Sequence, residues 1–146
     1  MTTIHKSALL PYSAEEMYAL VADIESYCKF LPWCAGARIV ARDAQSVTAA
    51  IDISYRGVHK TFTTRNELDP ARSMTLQLVD GPFKLLQGYW RFEAIEEQAC
   101  KVSLDLQFEF SNFLLEFVIG SVFSTIANGL VGSFSRRAEE IYGKRP

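Results

Sequence analysis

Residues able to do covalent or acid–base chemistry are few in this chain: two histidines, His5 and His59, and three cysteines, Cys28, Cys34 and Cys100. A nucleophilic site needs a thiol or hydroxyl with a base beside it. Both histidines fall on predicted strands among polar neighbours, with no carboxylate or nucleophile at motif spacing, and read as surface residues. Cys34 follows Trp33 with no base nearby in sequence, so a structural thiol is expected rather than an activated one. The cysteines are odd in number and lack Cys-x-x-Cys spacing, which argues against a disulfide framework or zinc knuckle and predicts reduced, half-buried thiols. Cys28, Cys34 and the histidines make no recognised ligand set. The sequence therefore predicts no catalytic residue, no metal and no covalent cofactor, and points to non-covalent recognition.

For recognition the chain is better supplied. Leu31, Trp33, Phe83 and Trp90 are large apolar groups beside prolines and glycines, a way to hold an aromatic rim without letting it collapse into the core. Trp33, between Pro32 and Cys34 in a predicted loop, has no periodic reason to be buried. Trp90 and Phe92 also have a plain reading as core residues on an inward strand face, and for Phe92 that reading carries more weight. Tyr27, Tyr89 and Asn128 are the donors available to orient a polar head group. Glu116, close to an apolar helical arc, reads as a favourable charge in a first helical turn.

The elements that must position these groups are legible from periodicity. Thr3 to Leu10 reads as a strand stopped by Pro11. Ser13 and Glu16 form a capping box ahead of Met17, Leu20, Val21 and Ile24 at helical spacing, and a second helical turn around Ser26 to Phe30 ends before Pro32. Strands are predicted at Ile39 to Arg42, Val47 to Tyr55, Val58 to Leu68, Met74 to Val79, Leu86 to Ala94 and Val102 to Phe110. Arg56-Gly57 joins one hairpin, Asp80-Gly81-Pro82 closes another strand, and Glu96 to Gln98 turns the last hairpin. In the final strand Val102, Leu104, Leu106, Phe108 and Phe110 share one face, and Lys101, Ser103, Asp105, Gln107 and Glu109 the other. A sheet with one dry face is usually antiparallel, and a long helix on that face completes an α+β domain.

That helix is predicted from Asn112 to Tyr142, roughly 45 Å at the α-helical rise. Phe113 to Phe134 carries only Glu116 as a formal charge, so a membrane span has to be weighed. The helical projection argues against one: Leu115, Ile119, Val122, Phe123, Ile126, Leu130 and Phe134 crowd one arc, opposite Ser121, Ser124, Thr125, Asn128, Gly129 and Gly132. Arg136 and Arg137 suit the negative end of the helix dipole. Gly120, Gly129 and Gly132 each sacrifice about 1 kcal/mol of helix propensity, in exchange for either close backbone packing or cavity space. The uncharged polar arc is a candidate contact surface for a partner, a second subunit or a membrane.

The segments Tyr27-Cys28-Lys29-Phe30-Leu31-Pro32-Trp33-Cys34 and Val79 to Phe92, supported by Pro11 to Glu15 and Lys60 to Asn66, resemble the coenzyme Q-binding branch of the START-like, polyketide-cyclase-like (SRPBCC) superfamily. The resemblance covers essentially the whole length. It implies one domain over residues 1–146 with a helix-grip fold, in which a curved antiparallel sheet wraps a long C-terminal helix and two short helices lie near the N-terminus. It further implies an apolar cavity that binds ubiquinone or a similar isoprenoid lipid in support of respiratory electron transport. On this reading Tyr27, Phe30, Leu31, Trp33, Phe83, Tyr89, Trp90, Phe123 and Ile126 are the expected ligand-binding residues. For the ribosome-directed toxins of the same branch it implies docking on the large ribosomal subunit, blockage of subunit joining, and an antitoxin partner. Polyketide cyclases elsewhere in the superfamily supply a weaker, enzymatic alternative.

Composition bounds these readings. The 146 residues are 49% apolar and 12% aromatic, enough for one sizeable core. A net charge of −2 gives no global field for nucleic acid, so phosphate contact must be local. The candidate contacts are Arg56, Lys60 and Arg65, with His59 nearby and Arg136, Arg137, Lys144 and Arg145 at the far end. Met1 to Lys6 lacks the charged lead and apolar run of a secretory signal, so a cytoplasmic location is expected.

Overall fold

A computed structural model describes residues 1–145. It contains β1 (Thr2–Leu10), α1 (Ala14–Ala22), a short 3-10 helix (Ile24–Lys29), β2 (Cys34–Arg42), β3 (Ser46–Tyr55), β4 (Val58–Asp69), β5 (Ser73–Asp80), β6 (Phe83–Glu96), β7 (Ala99–Phe110) and α2 (Phe113–Tyr142). All seven strands form one antiparallel sheet in the order β1-β7-β6-β5-β4-β3-β2. The architecture is the helix-grip, START-like α+β fold. The N-terminal strand closes on β7 at one edge, so hairpin connections account for every pairing except this one. Register shifts in β2, β5 and β6 mark bulges, which bend a sheet and let it curl around a helix.

Most predicted strands are found slightly longer than expected. The largest difference is β2, which begins at Cys34 rather than Ile39. Ala35, Gly36 and Ala37 carry little strand propensity, and pairing with Ile51, Asp52 and Ile53 of β3 makes this segment a strand. Ile24 opens the 3-10 helix instead of extending α1, because Asp23 leaves helical geometry between them.

The capping box forms as predicted, Glu16 N donating to Ser13 Oγ (3.1 Å) and Ser13 N to Glu16 Oε1 (2.9 Å). Asn112 Oδ1 caps α2 by accepting from Leu115 N at 2.9 Å. At the far end Arg136 and Arg137 stand more than a turn before the terminus, so they do not neutralise its dipole as expected. Gly143, at φ 83°, ends the helix by donating its N–H to Glu139 O. Arg137 instead covers the Phe30 ring, 5.0 Å from its centroid.

Sequence-distant contacts bolt α2 to α1. Arg145 grips the Glu16 carboxylate with both nitrogens (2.7 and 2.9 Å), Tyr142 Oη donates to Glu16 O, and Tyr12 Oη donates to Gly143 O. The Arg145 hydrogen bonds, with help from Ser13, lower the Glu16 carboxyl from its ordinary 4.5 to about 2. Stability from this pair is complete above pH 4.5 and is lost as pH falls toward 2. Glu16→Gln is expected to cost about 1–2 kcal/mol at neutral pH and to flatten the stability curve below pH 4.5. Urea midpoints at pH 7 and pH 3 check this: a variant as acid-sensitive as the parent refutes the pairing.

The inward face of the sheet and the apolar arc of α2 form the core. Ile119, Val122, Phe123, Ile126, Ala127, Val131, Phe134 and Ala138 are buried, as are Val102, Leu104, Leu106, Phe108 and Phe110 of β7. By length and composition α2 is apolar enough to cross a membrane; here it packs on the sheet. Its first two turns are different. Phe113 (81% exposed), Leu114, Phe117 (79%) and Val118 leave an apolar patch at the surface.

Candidate functional site

Between the sheet and the middle of α2 lies a cavity of about 100 Å³. Its walls come from Ala49 and Ile51 of β3, Phe62, Thr64 and Asn66 of β4, Leu76 of β5, Leu86 and Trp90 of β6, Leu106 of β7, and Phe123, Ile126, Ala127, Leu130 and Phe134 of α2. Strand alternation selects them. Phe62, Thr64 and Asn66 point inward, opposite Ile51, Ala49 and Val47 of β3. Space exists because small side chains stand where larger ones would meet, Ala49 on the sheet and Ala127 on the helix. The glycines of α2 contribute nothing to this inner space. Gly129 and Gly132 are exposed, and a Cβ at Gly120 would sit in ordinary contact with Phe110.

Trp33 and Ile126 line the cavity on one side and, on the other, an outer groove of about 370 Å³ that includes Phe30, Pro32, Tyr55 and Gly129. Together they form the partition between the two spaces. The Trp33 carbonyl accepts from Ser54 N at 2.9 Å, fixing the loop to the end of β3. A disulfide between Cys28 and Cys34 closes the same loop (Cα–Cα 4.9 Å), which corrects the expectation of reduced thiols there. Spacing of six residues carries no motif, and the pairing arises because the 3-10 helix turns the chain back on itself. Cys100 is a free buried thiol, pushed up to about 11 by burial, and is unreactive at neutral pH.

The expected ligand-binding residues are not all brought together. Tyr27, Trp33, Trp90, Phe123 and Ile126 line the cavity, and Phe30 lines the outer groove. Leu31 is buried beneath the loop and lines neither space. Phe83 fills an aromatic cluster, stacked on Phe110 at 5.0 Å and edge-on to Phe123 at 4.9 Å. Tyr89 lies on the outer face, since its neighbour Trp90 points inward and alternation sends the two apart. Trp90 is a wall, packed on Phe92 and Phe134, rather than a rim.

The proposed head-group donors fare similarly. Tyr27 Oη donates to Val21 O at 2.5 Å, and burial raises its pKa above the ordinary tyrosine value, so its proton is already committed. Asn128 is exposed and donates to Ser124 O. The polar pair inside the cavity is one that the periodicity reading missed: Thr64 Oγ1 donates to Asn66 Oδ1 at 2.8 Å. The signal was present, because polar residues at alternate positions 64 and 66 break the apolar series that Phe62 and Leu68 bracket. A bulge at Val79 of β5 lies opposite the Thr63–Thr64 step that leads into the pair.

No carboxylate, imidazole or thiol lines the cavity. His5 does meet a carboxylate, Asp105, directly across β1 and β7, but on the exposed outer face. Among the described residues no group of three or more His, Cys, Asp or Glu is placed to hold a metal. The basic trio is split. Arg56 forms the β3–β4 turn over the Tyr55 ring, Lys60 lies on the inward side of β4 beside Ile119 and Val122, and Arg65 projects from the opposite face toward Asp43, 3.9 Å away. Arg65 is removed from the other two because an odd spacing along a strand reverses the face.

Residues 10–135 match the family described as polyketide cyclase / dehydrase and lipid transport. The ribosome association toxin RatA of Escherichia coli K12 is 48% identical over 99% of this chain and 92% of its own. The mitochondrial coenzyme Q-binding protein COQ10 homolog B of Xenopus laevis is 25% identical over 96% of this chain and 59% of its own. Among solved structures, a START superfamily protein from Mycobacterium smegmatis superposes with a TM-score of 0.80 at 18% identity, covering 95% of this chain and 98% of that one. An aromatase/cyclase from Streptomyces sp. R1128 gives 0.78 at 17% identity, covering 99% of each chain. Those two likenesses concern the fold alone. With its cavity beneath α2, its helix-grip sheet and these similarities, the chain belongs to the polyketide cyclase / dehydrase and lipid transport family, on the branch of the RatA ribosome association toxins.

Proposed function

We propose that the protein is a non-catalytic, cytoplasmic binding protein that takes an apolar ligand with one polar end into the cavity under α2. An isoprenoid quinone such as ubiquinone, in a role supporting respiratory electron transport, is the ligand class favoured by similarity to a coenzyme Q-binding relative. The observation that carries the reading is a largely apolar hollow with a buried polar pair, Thr64 and Asn66, and with the Tyr27 hydroxyl already committed to Val21 O. A lining without carboxylate, imidazole or thiol, in which the Tyr27 proton is held by Val21 O, argues for binding over cyclase chemistry. At about 100 Å³ the hollow is smaller than the roughly 150 Å³ that accepts benzene in other proteins. Ligand entry therefore requires the Trp33–Ile126 partition to give way, joining the hollow to the outer groove. Native mass spectrometry of gently purified protein, followed by solvent extraction, tests this. Protein that is empty and refuses added short-chain ubiquinone refutes it.

A second reading rests on the 48% identity to a ribosome association toxin. We propose that the protein also docks on the large ribosomal subunit and hinders subunit joining, through the end of the molecule where Lys60 lies beside Ile119 and Val122 of α2, next to the exposed Phe113, Leu114, Phe117 and Val118 of its first turns. An apolar patch with a basic neighbour suits a protein- and phosphate-bearing surface. Sedimentation through a sucrose gradient checks it: co-migration with the large subunit at moderate salt, weakened by Lys60→Glu, is expected. Failure to co-migrate ends this reading and leaves the first intact.

A further inference from the structure

The polar pair in the cavity has a direction. Thr64 and Asn66 are both buried, Asn66 with only 3% of its surface exposed. A threonine hydroxyl has one proton, and Thr64 gives it to Asn66 Oδ1. That bond fixes the carboxamide: Oδ1 faces Thr64, and the Nδ2 end, with two N–H donors, faces the hollow. Nδ2 has no hydrogen-bond partner among the described residues, yet no polar side-chain atom of the interior is sealed away from space without a partner. The donors therefore open onto the cavity itself. A buried donor with nothing to donate to is costly, and an apolar side chain would have filled this strand position at no such cost. The apolar lining around it, Leu76 paired with it on β5 together with Trp90 and Leu130, offers no side-chain acceptor.

We propose that Asn66, oriented by Thr64, is the head-group anchor of the cavity and selects ligands that present a carbonyl oxygen on an otherwise apolar ring. This assignment rests on the ligand-binding reading above and deepens it. Nδ2 donates to the ligand carbonyl, while Oδ1 accepts from Thr64 and so holds the amide in this orientation. The anchor thus distinguishes an acceptor from a bare hydrocarbon of the same shape. A site built to hydrogen-bond a ligand group rejects the analogue lacking it, because the buried polar group is then left unpaired. In the empty protein a water molecule suffices to occupy the donors, using Nδ2 and a Thr64 lone pair.

The test compares two probes by equilibrium dialysis: a ubiquinone carrying one isoprene unit, and a prenylated polymethylbenzene of matched size that lacks oxygen. Wild-type protein is expected to bind the quinone about tenfold or more tightly than the hydrocarbon. Asn66→Leu is expected to bind the two alike, through a loss of quinone affinity alone, and to melt no lower than the parent. Thr64→Val is expected to shrink the preference and Thr64→Ser to retain it, a pattern that a merely space-filling role would not produce. A folded Asn66→Leu protein that keeps the tenfold preference overturns the anchor while leaving cavity binding in place. Failure of both probes to bind wild-type protein overturns the cavity reading and the anchor with it.

Discussion

Ala127→Leu is expected to abolish uptake of a short-chain ubiquinone while leaving the melting temperature unchanged or raised by about 3 °C. Ala127 is buried on the inward face of α2 and lines the hollow, with Ala49 on the sheet among the other small lining residues. The added isobutyl carbons enter space that is already present, so they gain dispersion contacts instead of displacing a neighbour. An unfilled void costs about 24 cal/mol per Å³, which for a hollow of about 100 Å³ amounts to roughly 2 kcal/mol. Filling part of it returns about 1 kcal/mol, and that sets the expected rise in melting temperature for a chain of this size. The variant separates a cavity ligand from a surface one. A stable Ala127→Leu protein with undiminished uptake would place the ligand outside the fold and end the cavity reading. If stability instead falls sharply, the hollow is smaller or stiffer than its walls indicate.

The two tryptophans are expected to behave in opposite ways. Trp90→Ala should cost about 3–5 kcal/mol and lower the melting temperature on the order of 10 °C, because it removes a buried wall and leaves a void beside an existing one. Trp90 is 3% exposed, lies parallel to Phe92 with centroids 6.2 Å apart, and meets Phe134 edge-on at 5.5 Å. Phe134 in turn holds Tyr27 and Phe30, so the loss propagates to the loop that carries Trp33. Trp33→Ala, by contrast, removes a half-buried side chain from a loop held by the Cys28–Cys34 disulfide and by the Ser54 hydrogen bond. Its expected cost is about 1 kcal/mol, and its main effect is kinetic. With the partition gone, quinone enters and leaves faster. Urea titration followed by circular dichroism measures the first effect, and stopped-flow mixing with short-chain ubiquinone the second. A Trp90→Ala protein within 1 kcal/mol of the parent would show that the wall is dispensable, and unchanged entry rates in Trp33→Ala would show that the loop is not the gate.

Much of the architecture follows from local pattern. The period of two in β7 and of 3.6 in α2, the capping box at Ser13 and Glu16, and the Arg56-Gly57 turn each encode their element without help from the rest of the chain. They do so because side-chain alternation, capping and positive φ act over a few residues. Propensity failed at Cys34 to Ala37, where pairing with β3 overrides a weak local preference. Sequence reading also grouped Tyr89 with Trp90, and Lys60 with Arg65, on proximity along the chain, whereas adjacent or oddly spaced strand residues face opposite sides.

By itself, then, the sequence determined the order of elements, the antiparallel sheet with one dry face, the long covering helix and the family. The tertiary structure alone decided that Cys28 meets Cys34, that His5 meets Asp105, that Arg145 clamps Glu16, and that Thr64 and Asn66 close on one small hollow. The reason is physical. Periodicity states which face of an element is buried, but a cavity, an ion pair or a disulfide depends on what the opposing element places across the gap, and that placement is set by strand register and helix position together.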